Sequence, residues 1–574
     1  MRSYWKGIVF SIAALSLVAC GGDGGENAEP KRETKAAADR RVASGDAGER
    51  SPAGKAEKQQ RAETAGEKAK QDPPSVPDAY FGELPWESVE EPIRVEDRER
   101  DSVVLLVADA LNVRHLGIYG YERPTSPELE RLANRGTVFT GHVSNSSWTR
   151  PSFTTIVTGL PKKRHHVELE GPPLVFDIET LAERFLKEGY RTAGIVGNPL
   201  IREVWGYAQG FQYWEDIKTM EVRGFPPDEI LMDRALRWLE STGDEPFFLV
   251  MFLTAPHPPY KPLPKARRFL EKVPEGDYNA HPFKEYTEPM PREEHLRVVA
   301  AYDDEVAYMD RQIGRLLDFL ERNDRDGDTS IIFTADHGEL FGQHGCYLHA
   351  YHMWEQALRV PLVIASPRLP ARGTLEDRST THVDLAPTAL ELAGLERPSR
   401  DELPGKSLLR LLAEPEGHRP RVLFSQYTAH GVRRQAIRKE GLKLVHHHRV
   451  ESRTETDLNE LHPHLEDRPD PRELPSLAWD GERYELYDLI RDPGEERDLF
   501  SRRRESPELL ELTAALRKRI AGGEDGAPGK LSQELIEALE AAGYLRRADE
   551  SEASSEEKKK SETDEDESEE PERS

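Results

Sequence analysis

Cysteine is nearly absent from this chain. Only Cys20 and Cys346 occur in 574 residues. Cys20 ends the N-terminal apolar segment, so a single cysteine is left for the rest of the chain, and one thiol cannot form an internal bridge. The sequence therefore excludes a fold held together by disulfides. A chain of this length has ample material for a hydrophobic core, as one large domain or two moderate ones.

Basic residues are outnumbered. The chain carries 79 Lys and Arg against 106 Asp and Glu, for a formal net charge of −27. Nucleic acid is excluded as the natural partner, because a phosphate backbone requires a basic surface. A small anionic substrate in a local pocket remains compatible with this balance.

The N-terminal segment MRSYWKGIVFSIAALSLVAC has the layout of a signal peptide. Arg2 and Lys6 precede an apolar stretch that is too short to span a membrane comfortably. Its last four residues, 17–20, resemble a bacterial lipobox, which predicts a lipoprotein signal peptide at 1–20 and lipidation of Cys20. We therefore expect an extracytoplasmic, membrane-anchored lipoprotein in the periplasm or at the outer membrane. The alternative is an ordinary secretory signal that happens to contain a cysteine.

The two ends of the chain beyond this segment lack large apolar residues. Residues 21–78 are rich in Ala, Lys, Glu, Gly and Arg, and residues 547–574 are strongly acidic. Such segments cannot bury enough surface to offset the entropy of ordering. We predict a disordered tether at 21–78 and a disordered acidic tail at 547–574.

Between these ends, apolar runs alternate with helical patterns. The strand-like runs are nearly continuously hydrophobic, as in strands covered by helices on both faces: 102–108, 191–197, 246–253, 330–335 and 360–366. In the segment 295–323 apolar residues recur every three or four positions, which predicts a helix with one buried face. The pattern predicts an α/β fold with a mostly parallel central sheet flanked by helices.

Polar residues follow four of these strands directly. They are Asp109, Asn198, His257 and the pair Asp336–His337. Because ligands bind at the carboxyl ends of strands in open parallel sheets, we expect these residues to converge. Asp109, Asp336 and His337 form a mixed oxygen and nitrogen set that suits a borderline divalent ion.

Thr149 precedes a helical pattern in SWTRPSFTTIVTGL, residues 147–160. Pro151 suits the first turn of a helix, which places Thr149 at or just before the positive end of that helix. One interpretation is a simple N-cap. The other is a nucleophile, because a hydroxyl beside a metal ion can be lowered in pKa and attack phosphorus or sulfur. The metal set favours the nucleophile.

Taken in order, the motifs from about residue 100 to 500 resemble the sulfatase family of the alkaline phosphatase superfamily. The resemblance rests on VVLLVADALNVRHLGIYGYERPTSPELERLANRG, PSFTTIVTGL, PFFLVMFLTAPHPPY, IIFTADHGELFGQHG, LHAYHMWEQALRVPLVI, HVDLAPTALELAGL with LPGKSLLRLL, and YELYDLIRDPGEERDL. It implies an alkaline phosphatase-like catalytic domain at 98–420 and a smaller α+β subdomain at 421–546. It also implies one divalent metal, held by Asp109, Thr149, Asp336 and His337, and a small-molecule or glycan ester as substrate.

The chain departs from the family pattern at positions that carry catalytic and sulfate-binding residues in sulfatases. Thr149 stands where sulfatases carry the Cys or Ser that becomes formylglycine, and Phe153 stands where an arginine is expected. Ala110 replaces the second aspartate after the first strand, Asn198 in VGNPLI lies where basic residues would contact sulfate, and His337 replaces a frequent Asn. Family habit implies calcium, whereas the imidazole ligand favours zinc or manganese.

Further polar residues receive roles from the resemblance. We predict that His257 and His349 contact the substrate or protonate the leaving group; completing a second metal site is the alternative. Arg150 and Asn198 are candidate substrate contacts. His344 and His352 are predicted to be supporting or structural. Acidic residues Asp303 and Glu305 are expected to be solvated on their helix, and the HHH run at 446–448 a solvated or core feature of a strand.

The sequence thus predicts a metal-dependent hydrolase of sulfuric or phosphoric esters with Thr149 as nucleophile. The first alternative is a phosphodiesterase or phospho-group transferase acting on envelope glycans or lipids. The second is an inactive lipoprotein that binds sulfated glycans, which the presence of all three predicted metal ligands disfavours.

Overall fold

The structure is a computed structural model. It describes residues 87–88, 100–168, 172–217, 227–276, 290–349, 351–369, 374–376, 378–414, 421–429, 432–449, 482–503 and 505–521. The predictions for the signal peptide, for Cys20, for the tether at 21–78 and for the tail at 547–574 lie outside the described residues. They stay predictions.

A nine-stranded sheet forms the centre of the protein, in the order β1-β12-β3-β11-β8-β2-β7-β5-β6. All neighbouring pairs are parallel except those of β11, which runs antiparallel to β3 and β8. The strands are β1 (Glu87–Ser88), β2 (Ser102–Ala108), β3 (Gly136–Phe139), β5 (Arg191–Val196), β6 (Tyr213–Asp216), β7 (Phe247–Leu253), β8 (Thr329–Ala335), β11 (Leu362–Ala365) and β12 (Thr374–Glu376). Two-stranded pairs join β4 (His142–Val143) to β13 (Thr380–Thr381), and β9 (Leu340–Phe341) to β10 (Tyr347–Leu348).

Helices cover both faces of this sheet, and the last helix of the chain's described part packs on a second sheet. They are α1 (Pro127–Ala133), α2 (Thr149–Thr158), α3 (Lys162–His165), α4 (Leu181–Lys187), α5 (Asp228–Thr242), α6 (Arg292–Arg322), α7 (Glu355–Leu358), α8 (Leu385–Leu392), α9 (Leu408–Ala413) and α10 (Pro507–Ala521). Short 3-10 turns lie at Val113–His115, Gly117–Tyr119, Glu203–Trp205, Pro264–Ala266, Leu270–Lys272, Gln343–Gly345, His382–Asp384 and Phe500–Arg502. Within the described part of the chain, none of the helices combines the length and apolar character needed to cross a bilayer.

The core lies on both faces of the large sheet because its central strands carry apolar residues on both sides. Along β2, Val103, Leu105 and Val107 pack into the core that includes α2, while the alternate residues pack into the core that includes α6. Burial on both faces explains why the sequences of these strands are nearly continuous runs of apolar residues. The predicted α/β class with a mostly parallel central sheet is confirmed.

A second, four-stranded antiparallel sheet follows. It consists of β14 (Leu423–Ala429), β15 (Val432–Lys439), β16 (Leu442–Arg449) and β17 (Glu482–Asp488), hydrogen-bonded in that order. One face shares the core that contains α2, through residues such as Val445, and the other packs on α10 through residues such as Leu444. The predicted strand at 442–449 is present. The boundaries 98–420 and 421–546 stay predictions.

The prediction that Asp303 and Glu305 are solvated is wrong. Both side chains lie in the middle of α6 and are fully buried. The apolar stripe of α6 faces the sheet, but the loops before α1 pack over the opposite side of the helix. Asp303 accepts hydrogen bonds there from Tyr121 and Arg123, each at 2.7 Å. Asp303 therefore anchors this loop to the helix.

Candidate active site and metal centre

Four side chains from three separate segments meet at the carboxyl edge of the large sheet. Asp109 follows β2 directly, Asp336 and His337 follow β8, and Thr149 is the first residue of α2. Since β2 and β8 are parallel neighbours in register, their following residues lie side by side, and the Asp336 N–H donates to the carbonyl of Ala108 at 3.1 Å. All four side chains are buried.

The predicted metal-ligand side chains lie close enough together to bind one ion. One ligand atom from each of Asp109, Asp336 and His337 lies within 4.8 Å of the others. His337 Nε2 is 3.3 Å from Asp336 Oδ2 and 3.8 Å from Asp109 Oδ1. Thr149 Oγ1 lies 3.2 Å from the same His337 nitrogen. The sequence prediction that these four residues converge agrees with this geometry.

Thr149 does not act as the helix cap. The N-cap position is held by Trp148, and no side-chain capping bond is made there. The Thr149 hydroxyl points instead towards His337. A threonine in the first turn of a helix, with its hydroxyl directed at a carboxylate and imidazole set, is placed for chemistry near the positive end of the helix dipole.

Surrounding groups fix the orientation of each ligand. Asn198 donates from Nδ2 to Asp109 Oδ2 at 2.6 Å. The backbone N–H of His337 donates to Asp336 Oδ1 at 2.7 Å. His337 Nδ1 lies 3.0 Å from the Gly338 carbonyl, which selects the tautomer with its lone pair on Nε2. Gly338 permits the tight turn after β8, because a Cβ there would lie 2.1 Å from the Gln356 carbonyl oxygen.

The donor set fits a divalent cation. Asp109 Oδ1 and Asp336 Oδ2 are buried, and neither has a hydrogen-bond partner among the described residues. Burial and the charge of Asp336 raise the pKa of Asp109 well above its ordinary value, and burial likewise raises the pKa of Asp336. Two buried carboxylates facing each other without a counter-charge are stabilised when a cation binds between them. The fit rests on these two orphaned oxygens and on the His337 lone pair.

His257 and His349 line the same pocket but lie outside this ligand trio. The ring centroid of His349 is 4.2 Å from that of His337 and 5.1 Å from that of His257. His257 Nδ1 contacts the Pro258 carbonyl at 2.5 Å. Burial, aided by the charge of His337, lowers the pKa of His257 to about 3, and burial lowers the pKa of His349 well below its ordinary value. Both rings are therefore neutral in the pocket without substrate.

Glu339 is a site residue that the sequence reasoning missed. It is fully buried, and its Oε1 lies 3.1 Å from His349 Nδ1 while its Oε2 accepts from the Tyr260 hydroxyl at 2.8 Å. Burial raises the pKa of Glu339 well above its ordinary value. Its position two residues after His337 was the available signal, since alternate residues of an extended segment share a side.

Arg150 and Phe153 point into protein rather than towards the trio. The Arg150 guanidinium lies 4.7 Å over the Trp205 ring and donates to the Pro172 carbonyl at 3.1 Å. Phe153 packs edge-on against Phe252 with centroids 5.1 Å apart. These contacts give Arg150 a packing role, and an anion contact by Arg150 stays a prediction. Asn198 is placed as a positioning residue for Asp109.

His344 and His352 lie against one aromatic side chain. Their rings stack on Trp354, with centroid distances of 3.9 and 4.0 Å. His352 also approaches Cys346 Sγ at 3.5 Å, and Cys346 is a buried thiol outside any disulfide. These contacts agree with a structural role.

Comparison with known proteins matches this geometry to a family. The sequence profile of the sulfatase family matches residues 101–395, and that of the N-sulphoglucosamine sulphohydrolase C-terminal region matches residues 342–478. An N-acetylglucosamine-6-O-sulfatase from Bacteroides thetaiotaomicron is 25% identical, over 74% of this chain and 87% of its own length. Human N-sulphoglucosamine sulphohydrolase is also 25% identical, over 74% of this chain and 89% of its own.

Solved structures share the fold. A protein captured with its substrate D-glucosamine-2-N,6-O-disulfate has a TM-score of 0.61 at 21% identity, covering 75% of this chain and 99% of its own. A phosphonate monoester hydrolase from Agrobacterium radiobacter has a TM-score of 0.56 at 21% identity, covering 74% and 95%. The family profile spans more than half of the chain. The chain belongs to the sulfatase family, within the alkaline phosphatase superfamily of ester hydrolases.

Proposed function

We propose that this sulfatase-family hydrolase cleaves its ester through a covalent intermediate on Thr149 and depends on one divalent metal held by Asp109, Asp336 and His337. The observation that carries the proposal is the placement of the Thr149 hydroxyl, which lies 3.2 Å from His337 Nε2, beside the buried pair of carboxylates. A hydroxyl in this place has a role that no capping bond accounts for.

Thr149 supplies the attacking oxygen. Its Oγ1 forms a bond to the sulfur or phosphorus of the ester as the bond to the leaving oxygen breaks, and the hydroxyl proton leaves with a neighbouring base. Threonine has no second hydroxyl from which the transferred group could be expelled. The second half of the reaction is therefore attack by water on the sulfo- or phospho-threonine, which restores the hydroxyl.

The metal site is completed by residues that this chain already orients. A bound divalent ion lowers the pKa of a nearby hydroxyl and neutralises charge on the transferred group. The imidazole of His337 among two carboxylates favours zinc or manganese over calcium. Asn198, by holding Asp109 Oδ2, leaves the other oxygen of that carboxylate directed at the ion.

His349 is the better candidate for the group that protonates the leaving oxygen. A neutral imidazole can give up its N–H proton when a neighbouring carboxyl group, kept protonated by its raised pKa, supplies another proton to the opposite ring nitrogen. The His349 ring has such a carboxyl group beside it, because Glu339 Oε1 lies 3.1 Å from its Nδ1. His257 then contacts the substrate, and Glu339 is a positioning residue.

A sulfated glycan or small sulfate ester is the leading substrate class. The two relatives described above, from Bacteroides thetaiotaomicron and human, are sulfatases of glucosamine derivatives by name. The acidic lipid-anchored protein expected from the sequence, with Cys20 as its anchor, would meet such glycans outside the cytoplasm. This location is part of the proposal.

A phosphate or phosphonate ester is the second candidate, and Thr149 is the observation that favours it. The alkoxide route needs no formylglycine, and a phosphonate monoester hydrolase and a multifunctional alkaline phosphatase superfamily protein from Trinickia caryophylli are among the similar proteins. With Thr149 in place of the oxidisable residue, phosphorus and sulfur esters use the same nucleophile here.

Turnover of nitrophenyl sulfate, nitrophenyl phosphate and bis-nitrophenyl phosphate by wild type and Thr149→Val tests both the enzyme and its nucleophile. Thr149→Val keeps the side-chain shape, so we expect a change in unfolding free energy of about 1 kcal/mol and loss of turnover on every ester. Thr149→Ser is the matched control, and it should retain activity because the hydroxyl remains.

Mass spectrometry of acid-quenched wild type should find one added sulfo or phospho group on the peptide that contains Thr149. Retained turnover in folded Thr149→Val would overturn the nucleophile. Absence of turnover on all three esters and on glucosamine-6-sulfate in wild type loaded with zinc, manganese or calcium would overturn the hydrolase.

A further inference from the structure

A second group of side chains, of the types that can bind a metal ion, lies in the C-terminal sheet. His446 and His448 alternate on β16, and Glu482 on β17 is the registered partner of His448. One ligand atom from each lies within 4.8 Å of the other two. The sequence reasoning treated the HHH run as a solvated or core feature, because it could not show that two of the three rings share a face with a carboxylate.

The distances within this group match a metal site. His446 Nε2 lies 3.6 Å from Glu482 Oε2, and His448 Nδ1 lies 3.8 Å from Glu482 Oε1. Zinc bonds of about 2.1 Å in tetrahedral geometry place ligand atoms about 3.4 Å apart. Small side-chain rotations would close the difference.

The burial of His446 and its lack of hydrogen bonds to the described residues distinguish this group from an ordinary surface ion pair. Its side chain is 5% exposed, and neither ring nitrogen has a hydrogen-bond partner at acceptable geometry among the described residues. Buried polar groups are normally satisfied, so an imidazole in this state indicates a partner that the described residues do not supply. Its ring is held by stacking on Tyr484, at a centroid distance of 4.5 Å.

We propose that His446, His448 and Glu482 form a zinc-type divalent metal site on the outer face of the C-terminal sheet, separate from the catalytic centre. Tyr484 donates to Glu482 Oε2 at 2.9 Å and so orients the carboxylate ligand. His448 and Glu482 are 42% and 51% exposed, which gives the ion access from solvent and a fourth position for water.

Two neighbouring side chains determine the expected zinc affinity and the choice of control variant. Arg433 is the registered partner of His448 on β15, so a positive charge lies beside the site and holds the affinity below that of an all-protein structural zinc site. His447 faces the other way, with its Nε2 3.3 Å from Glu485. It is a histidine of the same strand outside the proposed ligand set.

Zinc binding by the full chain, stripped with a chelator and carrying Asp336→Asn to disable the catalytic site, tests the proposal. We expect this variant to bind one zinc per chain. Adding His448→Ala should weaken binding by about tenfold or more, since a direct ligand is lost, whereas adding His447→Ala should leave it unchanged. Cobalt absorption bands should show the same pattern.

Glu482→Gln is the second variant, because it keeps the side-chain shape while removing the anionic ligand. It should weaken zinc as His448→Ala does, with circular dichroism unchanged. Absence of zinc binding in the Asp336→Asn chain, or equal binding in the His448→Ala and His447→Ala variants, overturns the site. If instead wild type and Asp336→Asn bind the same single zinc, the catalytic metal is refuted while the site at His446 stands.

Discussion

Two of the buried carboxylate groups in this protein are balanced in opposite ways. At the ends of β2 and β8 the pair Asp109 and Asp336 lies buried with no Lys or Arg paired to it among the described residues, and the pKa of each is raised. At the start of α7, Glu355 is equally buried but pairs with Arg438 at 2.7 Å and Lys443 at 3.1 Å. Although burial alone would raise it, those two cations hold the pKa of Glu355 at about 2.

The difference separates a structural site from a functional one. The Glu355 cluster joins the α7 segment to β15 and β16, and Lys443 also pairs with Glu495 at 2.7 Å. It carries its own counter-charges and so stabilises the fold by itself once assembled. The Asp109 and Asp336 pair is balanced only when a cation is added, which keeps that charge available for catalysis.

The largest effect is expected from Asp336→Asn. Loss of one carboxylate ligand should reduce turnover by about 10³-fold or more, since metal stabilisation of the transition state is worth several kcal/mol. The metal-free protein should unfold at the same temperature as wild type or a higher one, because a buried uncompensated charge has been removed. Ester turnover, metal content and thermal unfolding in chelator measure these three results. A marked loss of stability would place Asp336 with the structural carboxylates.

Glu355→Ala should show the reverse pattern. It leaves Arg438 buried without its partner, and breaking a buried pair costs about 3–5 kcal/mol of unfolding free energy. Denaturant unfolding measures the loss. Glu229→Ala is the control, because its pair with Lys265 is exposed and worth about 1 kcal/mol or less. Equal effects of the two substitutions would contradict the comparison.

The pH dependence of the Glu355 contribution follows from the lowered pKa. A carboxyl group whose folded pKa lies below its unfolded value stabilises the protein at higher pH and loses that contribution as pH falls. The gap in unfolding free energy between wild type and Glu355→Gln should therefore be full above about pH 4.5 and shrink as pH falls towards about 2. A gap that is constant with pH would show that packing, rather than charge, carries the effect.

The smallest effect is expected from Glu339→Gln. Because Glu339 orients His349 and holds a proton that can replace the one His349 gives up, the substitution should lower kcat by about 10- to 100-fold with little change in KM. The limb of the pH–rate profile that reports the proton donor should change its position, which a purely structural role would not produce. An equal loss for esters with very good leaving groups, which need no proton, would contradict the assignment.

The fold was largely readable from the sequence because its signals are local. The strand predicted at 102–108 matches β2 because every one of its residues is buried. Asp109, Asp336 and His337 were found for the same reason, since each directly follows such a strand. Their convergence needed only the rule that parallel strands end at one edge.

What the sequence did not reveal depends on contacts between distant segments. Glu355 and Lys443 are 88 residues apart, and nothing near either one marks the partner. The burial of Asp303 depends on loops that fold over α6 from residues 121 and 123, which helical periodicity cannot show. The unsatisfied state of His446 likewise follows from the pairing of β16 with β17.

Ala110 bears on how this site could have arisen. It has a backbone φ of 53°, a left-handed conformation that aspartate and asparagine adopt more readily than alanine. The Tyr302 hydroxyl donates to its carbonyl at 2.9 Å and so holds the turn in place. The backbone thus keeps the shape suited to the second aspartate that sulfatases carry at this position. The single substitution Ala110→Asp would therefore place a carboxylate on a turn that is already formed to receive it.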